Sequence, residues 1–377
     1  MMELTHVIAL LSLLWLCYLL WEARSNRVSR GKLPHVVHVN GTRGKSTTSR
    51  LIEAGLRAGG LRVFCKTTGT DPMTIDTEGK EELIVRRGRA NIKEQIAILR
   101  RAAAQRSDVL VIECMALQPE LQYAAQHRIL QADVGVITNV RRDHTDVMGE
   151  TLPEICDVLC NTVPRNGALF TAEQDQAERM GAFARRMGSA FFPVRPRGDE
   201  PEFDFAENIA LACAVCEYLG VERETALRGM AGYKRDPYAL SLHRLHGAAF
   251  IDGLSINDVQ STCMVWERLK EKYGFRNKEL ILLINNRADR GSRTQDMLRV
   301  CLELKPDRVW LLGAAGSYMR RNLARRLPGA GVTQFKSADA VDFTVLNEDC
   351  VVFAAGNIAK AGRELMARVR EEGTPFV

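Results

Sequence analysis

The stretch His38-Val39-Asn40-Gly41-Thr42-Arg43-Gly44-Lys45-Ser46-Thr47-Thr48-Ser49-Arg50 constrains the fold of this chain more than any other. The apolar run Val36-Val37-His38-Val39 reads as a buried strand, and the residues from Thr47 to about Leu56 read as a helix. The chain must therefore turn from strand to helix over Gly41-Thr42-Arg43-Gly44. Glycines let the backbone approach a phosphate closely, and the helix N-terminus offers unpaired amides at the positive end of its dipole. Lys45 adds a point charge for β- and γ-phosphates, and Ser46 a hydroxyl for Mg2+. The common G-x-x-x-x-G-K-[ST] loop would place its first glycine where this chain has Val39. A plain glycine turn before an ordinary helix is the simpler alternative. The complete order of strand, glycines, Lys-Ser and helix favours nucleotide phosphate binding.

A chain of 377 residues, 46% hydrophobic and 26% charged, has room for two domains and ample core. Its formal charge of +6 is modest, yet arginines cluster at Arg86, Arg87 and Arg89, at Arg100-Arg101, and at Arg320, Arg321, Arg325 and Arg326. Such clusters are either solvated helix faces or a preference for anionic ligands, ATP or an acidic polymer; no nucleic-acid partner is expected. Leu4 to Trp21 is apolar throughout, and as a helix its 18 residues span roughly 27 Å, close to a bilayer's hydrocarbon core. Because Arg24, Arg27, Arg30 and Lys32 follow it, the positive-inside rule puts the rest of the chain in the cytoplasm behind a single-pass anchor. Disulfides are then not expected among the ten cysteines, and the C-x-x-C pair Cys213 and Cys216 reads as core.

Two further apolar runs end in polar residues at what should be the same rim of a parallel sheet. Val109 to Ile112 ends at Glu113, and Ala132 to Thr138 ends at Asn139, followed by Asp143 and His144. Glu113 stands where a Mg2+ carboxylate is expected in phosphate-loop enzymes. Gly232 to Tyr238 (GYKRDPY) reads as a linker, which divides the chain into residues 1–32 (anchor and basic linker), 33–235 and 236–377. Strands ending at Asp252, Asn285, Gly313 and Gly356 alternate with helical stretches in the last part, as in a second, smaller doubly wound α/β domain. Arg287 and Arg290 lie in its loop Asn-Asn-Arg-Ala-Asp-Arg and suit a carboxylate or phosphates.

The shortened loop Gly41-Thr42-Arg43-Gly44-Lys45-Ser46-Thr47, the strand-end Glu113 and Thr138-Asn139-Val140-x-x-Asp143-His144-x-Asp146 together resemble the three ATP-site motifs of Mur ligases and folylpolyglutamate synthases. Glu207-Asn208-Ile209 resembles that family's asparagine-bearing helix near the adenine, and Asp252 to Thr262 resembles the start of its C-terminal domain. More narrowly, KTTGTD (66–71), IECMAL (112–117), DHTDVMGETLPEI (143–155), NNRADRGSRTQ (285–295) and GNIAKAG (356–362), behind an N-terminal membrane segment, are similar to the ligase subunit of bacterial poly-γ-glutamate synthases.

The resemblance implies an α/β fold with a phosphate-loop-containing, Mur ligase-like central domain. It implies an ATP-dependent amide ligase that uses Mg2+ and joins glutamate to a growing poly-γ-glutamate chain through an acyl phosphate. Catalytic roles then fall to Lys45, Glu113, His144 and Arg287, and Mg2+ to Ser46, Glu113 and His144. Nucleotide contacts fall to Gly41, Thr42, Arg43, Gly44, Lys45, Ser46, Thr47, Asn139, Asn208 and Arg290. Integral-membrane synthesis and export subunits are the implied partners, and a homo-oligomer is compatible with the sequence. The carbamoylated lysine that holds a second Mg2+ in many Mur ligases has no counterpart, since no lysine lies between Lys93 and Lys234. Glu150, Glu154 and Asp157 are candidates in its place. Two alternatives keep the ATP site: a γ-glutamyl ligase acting on a folate-like acceptor, and a membrane-associated nucleotide-binding regulator or export ATPase that forms no amide bond.

Overall fold

In the computed structural model, which describes residues 2–69, 71–86, 88, 90–202, 204–287 and 291–376, the chain divides into two units, Met1–Arg235 and Asp236–Val377. The first begins with α1 (Met2–Arg30), followed by β1 (His35–Asn40), α2 (Lys45–Ala58), β2 (Val63–Thr67), β3 (Met73–Ile75), β4 (Glu81–Leu83), α3 (Glu94–Ala104) and β5 (Val109–Glu113). Then come α4 (Pro119–Ala124), β6 (Val134–Ile137), α5 (Thr145–Met148), α6 (Leu152–Leu159), β7 (Ala168–Thr171), α7 (Ala177–Arg186), β8 (Ala190–Pro193), α8 (Ala206–Tyr218) and α9 (Arg223–Ala231). The eight strands form one sheet in the order β4-β3-β2-β5-β1-β6-β7-β8, parallel from β2 to β8, with β3 and β4 added antiparallel at one edge.

β5 is apolar up to Glu113, and β1 is apolar between His35 and Asn40 apart from His38, because both faces of the sheet are covered. Successive side chains alternate between those faces. Val37, Val39, Val109 and Val111 pack with Leu51, Ile52 and Leu56 of α2 and with Ile209, Cys213 and Cys216 of α8. Val36, Leu110 and Ile112 pack on the other side with Ile98, Leu99 and Ala102 of α3. The C-x-x-C cysteines are thus core residues, and no group of three or more His, Cys, Asp or Glu placed to hold a metal occurs among the described residues.

His38 sits on the α3 face of β1, fully buried, with its Nδ1 2.8 Å from Gln126 Oε1 on a π-helical turn, Ala125–Leu130. Burial pushes its pKa down to about 4. The unfolded chain therefore binds a proton that the folded chain refuses between about pH 6.5 and pH 4, and His38 costs stability as pH falls through that window. The expected loss is roughly 3 kcal/mol. Denaturant melts across this range should show a shallower pH slope for His38→Gln than for the parent; equal slopes would remove His38 as the cause.

α1 does not stop at Trp21 but continues through the basic stretch to Arg30, and residues 4–30 form a helix long and apolar enough to cross a membrane. Its last turns are docked on the first unit. Asn26 Nδ2 donates to Ile129 O at 2.8 Å, Arg30 pairs with Asp133 at 2.9 Å, and the Arg100 guanidinium lies 5.2 Å from the Trp21 ring centre. Of the basic residues after the apolar span, expected to be a linker, Arg30 is anchored on the folded domain, and the helix continues as far as that anchor.

The second unit contains β9 (Ser241–Leu245), β10 (Ala248–Gly253), α10 (Val259–Lys272), β11 (Glu279–Asn286), α11 (Gly291–Leu304), β12 (Arg308–Gly313), α12 (Gly316–Arg326), β13 (Gly331–Gln334), β14 (Cys350–Gly356), α13 (Ala361–Glu372) and β15 (Thr374–Pro375). Its sheet has the order β13-β12-β11-β14-β10-β9-β15, parallel from β13 to β10, with β9 and β15 antiparallel at the other edge. The chain leaves β11 toward β12 and leaves β14 toward α13 and β15, on opposite sides, which opens a crevice beyond the carboxyl ends of β11 and β14.

Candidate active site

The loop between β1 and α2 takes a shape that only glycine permits at two positions. Gly41 has φ 128°, and a β-carbon there would lie 2.1 Å from Thr138 Oγ1 and 2.8 Å from Thr138 N. Gly44 has φ 78° and would bring a β-carbon to 2.9 Å from Asn208 Oδ1. The left-handed Gly44 lets the helix begin at once at Lys45, two residues earlier than its sequence pattern suggests, with no side chain capping the first turn. The amides at the start of this 14-residue helix are thus open to an anion.

The segment after β6 clamps this loop from the side. Asn139 exchanges both hydrogen bonds with the backbone of Arg43: Oδ1 accepts from Arg43 N at 3.0 Å and Nδ2 donates to Arg43 O at 3.0 Å. Thr138 Oγ1 donates to the same carbonyl at 2.6 Å, and Thr42 N donates to Asn139 O at 3.1 Å. Asp143 accepts from the Arg43 guanidinium at 2.9 Å and from His144 N at 2.9 Å, while His144 itself has φ 51°. Asn139 and Asp143 therefore act here as supports that fix the loop's path. Gly41→Ala should lower the melting temperature by several degrees, because the new methyl meets backbone atoms at a positive φ. It should also remove the thermal shift given by ADP; an undiminished ADP shift would show that the loop tolerates the methyl.

At the other side of the loop, Ser46 Oγ donates to Glu113 Oε2 at 2.8 Å, and Thr68 N donates to the same oxygen at 2.6 Å. Glu113 is only 3% exposed, which orients its carboxylate firmly. Lys45 Nζ donates to Gly41 O at 2.7 Å and to Thr42 O at 3.3 Å, folded over the loop's own carbonyls. The cis edge of a Mg2+ octahedron, with metal–oxygen bonds of about 2.0–2.1 Å, is about 2.9 Å long. The Ser46–Glu113 oxygen pair has that spacing and that hard-oxygen chemistry, so these residues fit a divalent cation. His144, expected with them, is placed beside Asp143 with Nε2 3.7 Å from Asp143 Oδ2.

The other expected metal ligands have different tasks. Glu154 closes a capping box with Thr151 at the start of α6, and Asp157 pairs with Arg179 at 2.5 Å.

Lys66 was visible in the sequence only as part of the KTTGTD segment, yet it is fully buried at the end of β2, 3.1 Å from Glu94. Burial pushes the Lys66 pKa down, against the pull of Glu94 and Glu113. Burial alone would raise Glu94, but hydrogen bonds from Arg86 and the charge of Lys66 hold it below the usual carboxylate range. A lysine directly after the apolar Val63-Phe64-Cys65 run, still within β2, is the sequence signal for this buried charge pair next to Glu113. Asn208, at the start of α8, lies against Gly44, accepts from Thr48 Oγ1 at 3.4 Å and donates to Asp204 at 3.1 Å.

In the second unit, the crevice at the ends of β11 and β14 is lined by Asn285, Asn286, Arg287, Arg293, Gly356 and Asn357. Arg287 is exposed there, and Asn285 ties the two strand ends by donating to Asn357 O and Ala359 O. Arg290, expected beside it, lies outside the described residues, as do Arg87 and Arg89. Asp252, at the end of β10, has a carboxyl pushed up to about 6 by burial, and its Oδ2 has no hydrogen-bond partner. The sequence marks Asp252 as a strand end, and its burial makes it a ligand candidate as well.

Residues 39–182 match the Mur ligase middle domain, and residues 238–372 match the poly-gamma-glutamate synthase CapB C-terminal domain. The chain is 34% identical over 312 residues to the capsule biosynthesis protein CapB of Bacillus anthracis, covering 79% of this chain and 67% of that one. It is 31% identical over 369 residues to the PGA synthase CapB of Bacillus subtilis (strain 168), covering 93% and 94%. Among solved structures, the Mycobacterium tuberculosis folylpolyglutamate synthase complexed with ADP superposes with a TM-score of 0.68 at 14% identity, over 92% of each chain. A bifunctional folylpolyglutamate synthase/dihydrofolate synthase from Yersinia pestis, complexed with AMPPNP and Mn ion, gives a TM-score of 0.67 at 17% identity, over 94% of this chain and 97% of that one. These likenesses establish the Mur ligase-like fold, and the two CapB relatives, matched across both units, establish that the chain belongs to the poly-γ-glutamate synthase CapB family of Mur ligase-like amide ligases.

Proposed function

We propose that this chain is a membrane-tethered ligase that uses ATP and a divalent cation, Mg2+ in the cell, to add glutamate to a growing poly-γ-glutamate chain. The γ-carboxylate at the chain end attacks the γ-phosphate of ATP, giving an acyl phosphate and ADP. The α-amine of the next glutamate then attacks the acyl carbon, forming the amide and releasing phosphate and a proton. Phosphoryl transfer of this kind needs alignment and charge neutralisation more than covalent help. The open amides of α2 and the Lys45 ammonium bind the phosphates, Lys45 exchanging its contacts to Gly41 O and Thr42 O for phosphate oxygens. Ser46 and Glu113 would hold the cation, which supplies neutralising charge as ADP departs. His144 contributes positive or hydrogen-bonding character near the transferred group, and Arg287 binds a glutamate carboxylate. α1 spans the cell membrane and keeps both units at its cytoplasmic face, where integral-membrane export subunits can take up the product.

The carrying observation is that relatives at 31–34% identity match both units and are CapB proteins of capsule or PGA synthesis. The test is mass spectrometry of products made from ATP, Mg2+ and glutamate by membranes containing this chain and its candidate export partners. A ladder of glutamate increments that disappears in Lys45→Ala is the expected result. ADP release that ignores glutamate, with no ladder, would instead indicate an export ATPase.

A further inference from the structure

We propose that the arginine face of α12 is a docking track for a polyanion, the growing poly-γ-glutamate product itself; this rests on the ligase reading above. α12 buries Met319 and Leu323 and turns Arg320, Arg321, Arg325 and Arg326 to solvent. None of these four guanidiniums has an ion-pair or hydrogen-bond partner among the described residues. Several arginines elsewhere are paired with acids, as at Arg30, Arg43, Arg57, Arg86, Arg179 and Arg223, whereas on α12 four unpaired ones stand together on one helix. The stretch of sequence that contains α12 is free of acids: none occurs between Asp307 and Asp339, a span that holds Arg308, the four α12 arginines and Lys336.

Such a helix is unfavourable on its own. Arg321 and Arg325 are one turn apart and repel, with no acid on the helix to offset them. The helix dipole accounts for cations in the last turn, Arg325 and Arg326, but Arg320 and Arg321 sit a turn earlier, where its effect has faded. Water and counterions screen these exposed charges, and a polyanionic ligand would replace those counterions with fixed carboxylates. A γ-linked glutamate chain leaves every α-carboxylate free, one negative charge per residue, and the planar guanidinium fork matches a carboxylate better than an ammonium does. Anionic lipid and nucleic acid carry similar charge. The polymer is favoured because the reaction assigned to this chain produces it at the protein itself, so that a weak, repeated contact raises its effective concentration. The face would then hold the chain between successive additions.

The test uses the full chain in nanodiscs of neutral lipid and labelled poly-γ-glutamate of defined length. R320Q/R321Q/R325Q/R326Q should bind the polymer at least about tenfold more weakly than the parent at low salt, as losing four exposed ion pairs together implies. The difference should collapse as salt rises from about 50 to about 500 mM, because exposed charges are screened. The four-lysine variant at the same positions should recover most of the binding, which separates charge from any change in folding. Equal binding by the glutamine variant overturns the proposal. So does arginine-dependent binding to phosphatidylglycerol vesicles without arginine-dependent binding to the polymer, which would make this face a membrane contact. A parent that makes the glutamate ladder but binds polymer independently of these arginines defeats this inference alone; a parent that makes no ladder defeats the ligase reading.

Discussion

Lys45→Ala lowers glutamate-dependent ADP release by roughly 10²–10³-fold or more, the loss expected when a preorganised charge facing the reacting phosphate is removed. The expectation rests on where the side chain starts. Lys45 Nζ is held over the loop by Gly41 O and Thr42 O, so the ammonium already stands at the phosphate cradle and needs only to exchange partners. Its removal leaves the loop itself intact, since the bonds that shape it come from Thr138 and Asn139. The measurement is coupled ADP release with glutamate and acceptor present, alongside a melt to show that the variant is folded. Turnover within a few-fold of the parent would take the loop out of the mechanism.

Glu113→Gln is the second large effect, with turnover falling roughly 10²-fold and the Mg2+ midpoint rising by about tenfold or more. Glutamine keeps the shape and can still accept from Ser46 Oγ and Thr68 N, so the variant removes the charge and little else. Because Glu113 is buried between those two donors, its carboxylate cannot be replaced by a neighbouring acid without rebuilding the strand end. A Mg2+ titration is the deciding measurement. An unchanged midpoint would assign Glu113 to holding Ser46 and the Thr68 segment in place and give the cation to other residues.

Much of the nucleotide loop was legible in the sequence because its chemistry is local. Two glycines, a lysine and a serine between a strand and a helix place their own amides and side chains within a few residues. The strand-end positions of Glu113 and Asn139 were also legible, since an uninterrupted apolar run that stops at a polar residue marks the rim of a covered parallel sheet. Contacts made across that rim were not. Nothing local says that Asn139 turns both polar atoms to the Arg43 backbone, or that Asp143 is taken by the Arg43 guanidinium. Nor does anything local say that Glu154 caps its own helix or that Asp157 pairs with Arg179 on α7.

The sequence by itself determined the strand ends that carry the site, the phosphate loop, the apolar N-terminal span and the acid-free arginine stretch, because each depends on residue type and short-range spacing. Only the tertiary structure decided which of those groups meet. It put Glu113 beside Ser46, 67 positions apart, and buried Lys66 against Glu94. It docked Arg30, at the basic end of α1, on Asp133 and left the α12 arginines without partners among the described residues. Charge pairing and burial are properties of distance in space, and strand order in the sheet sets that distance.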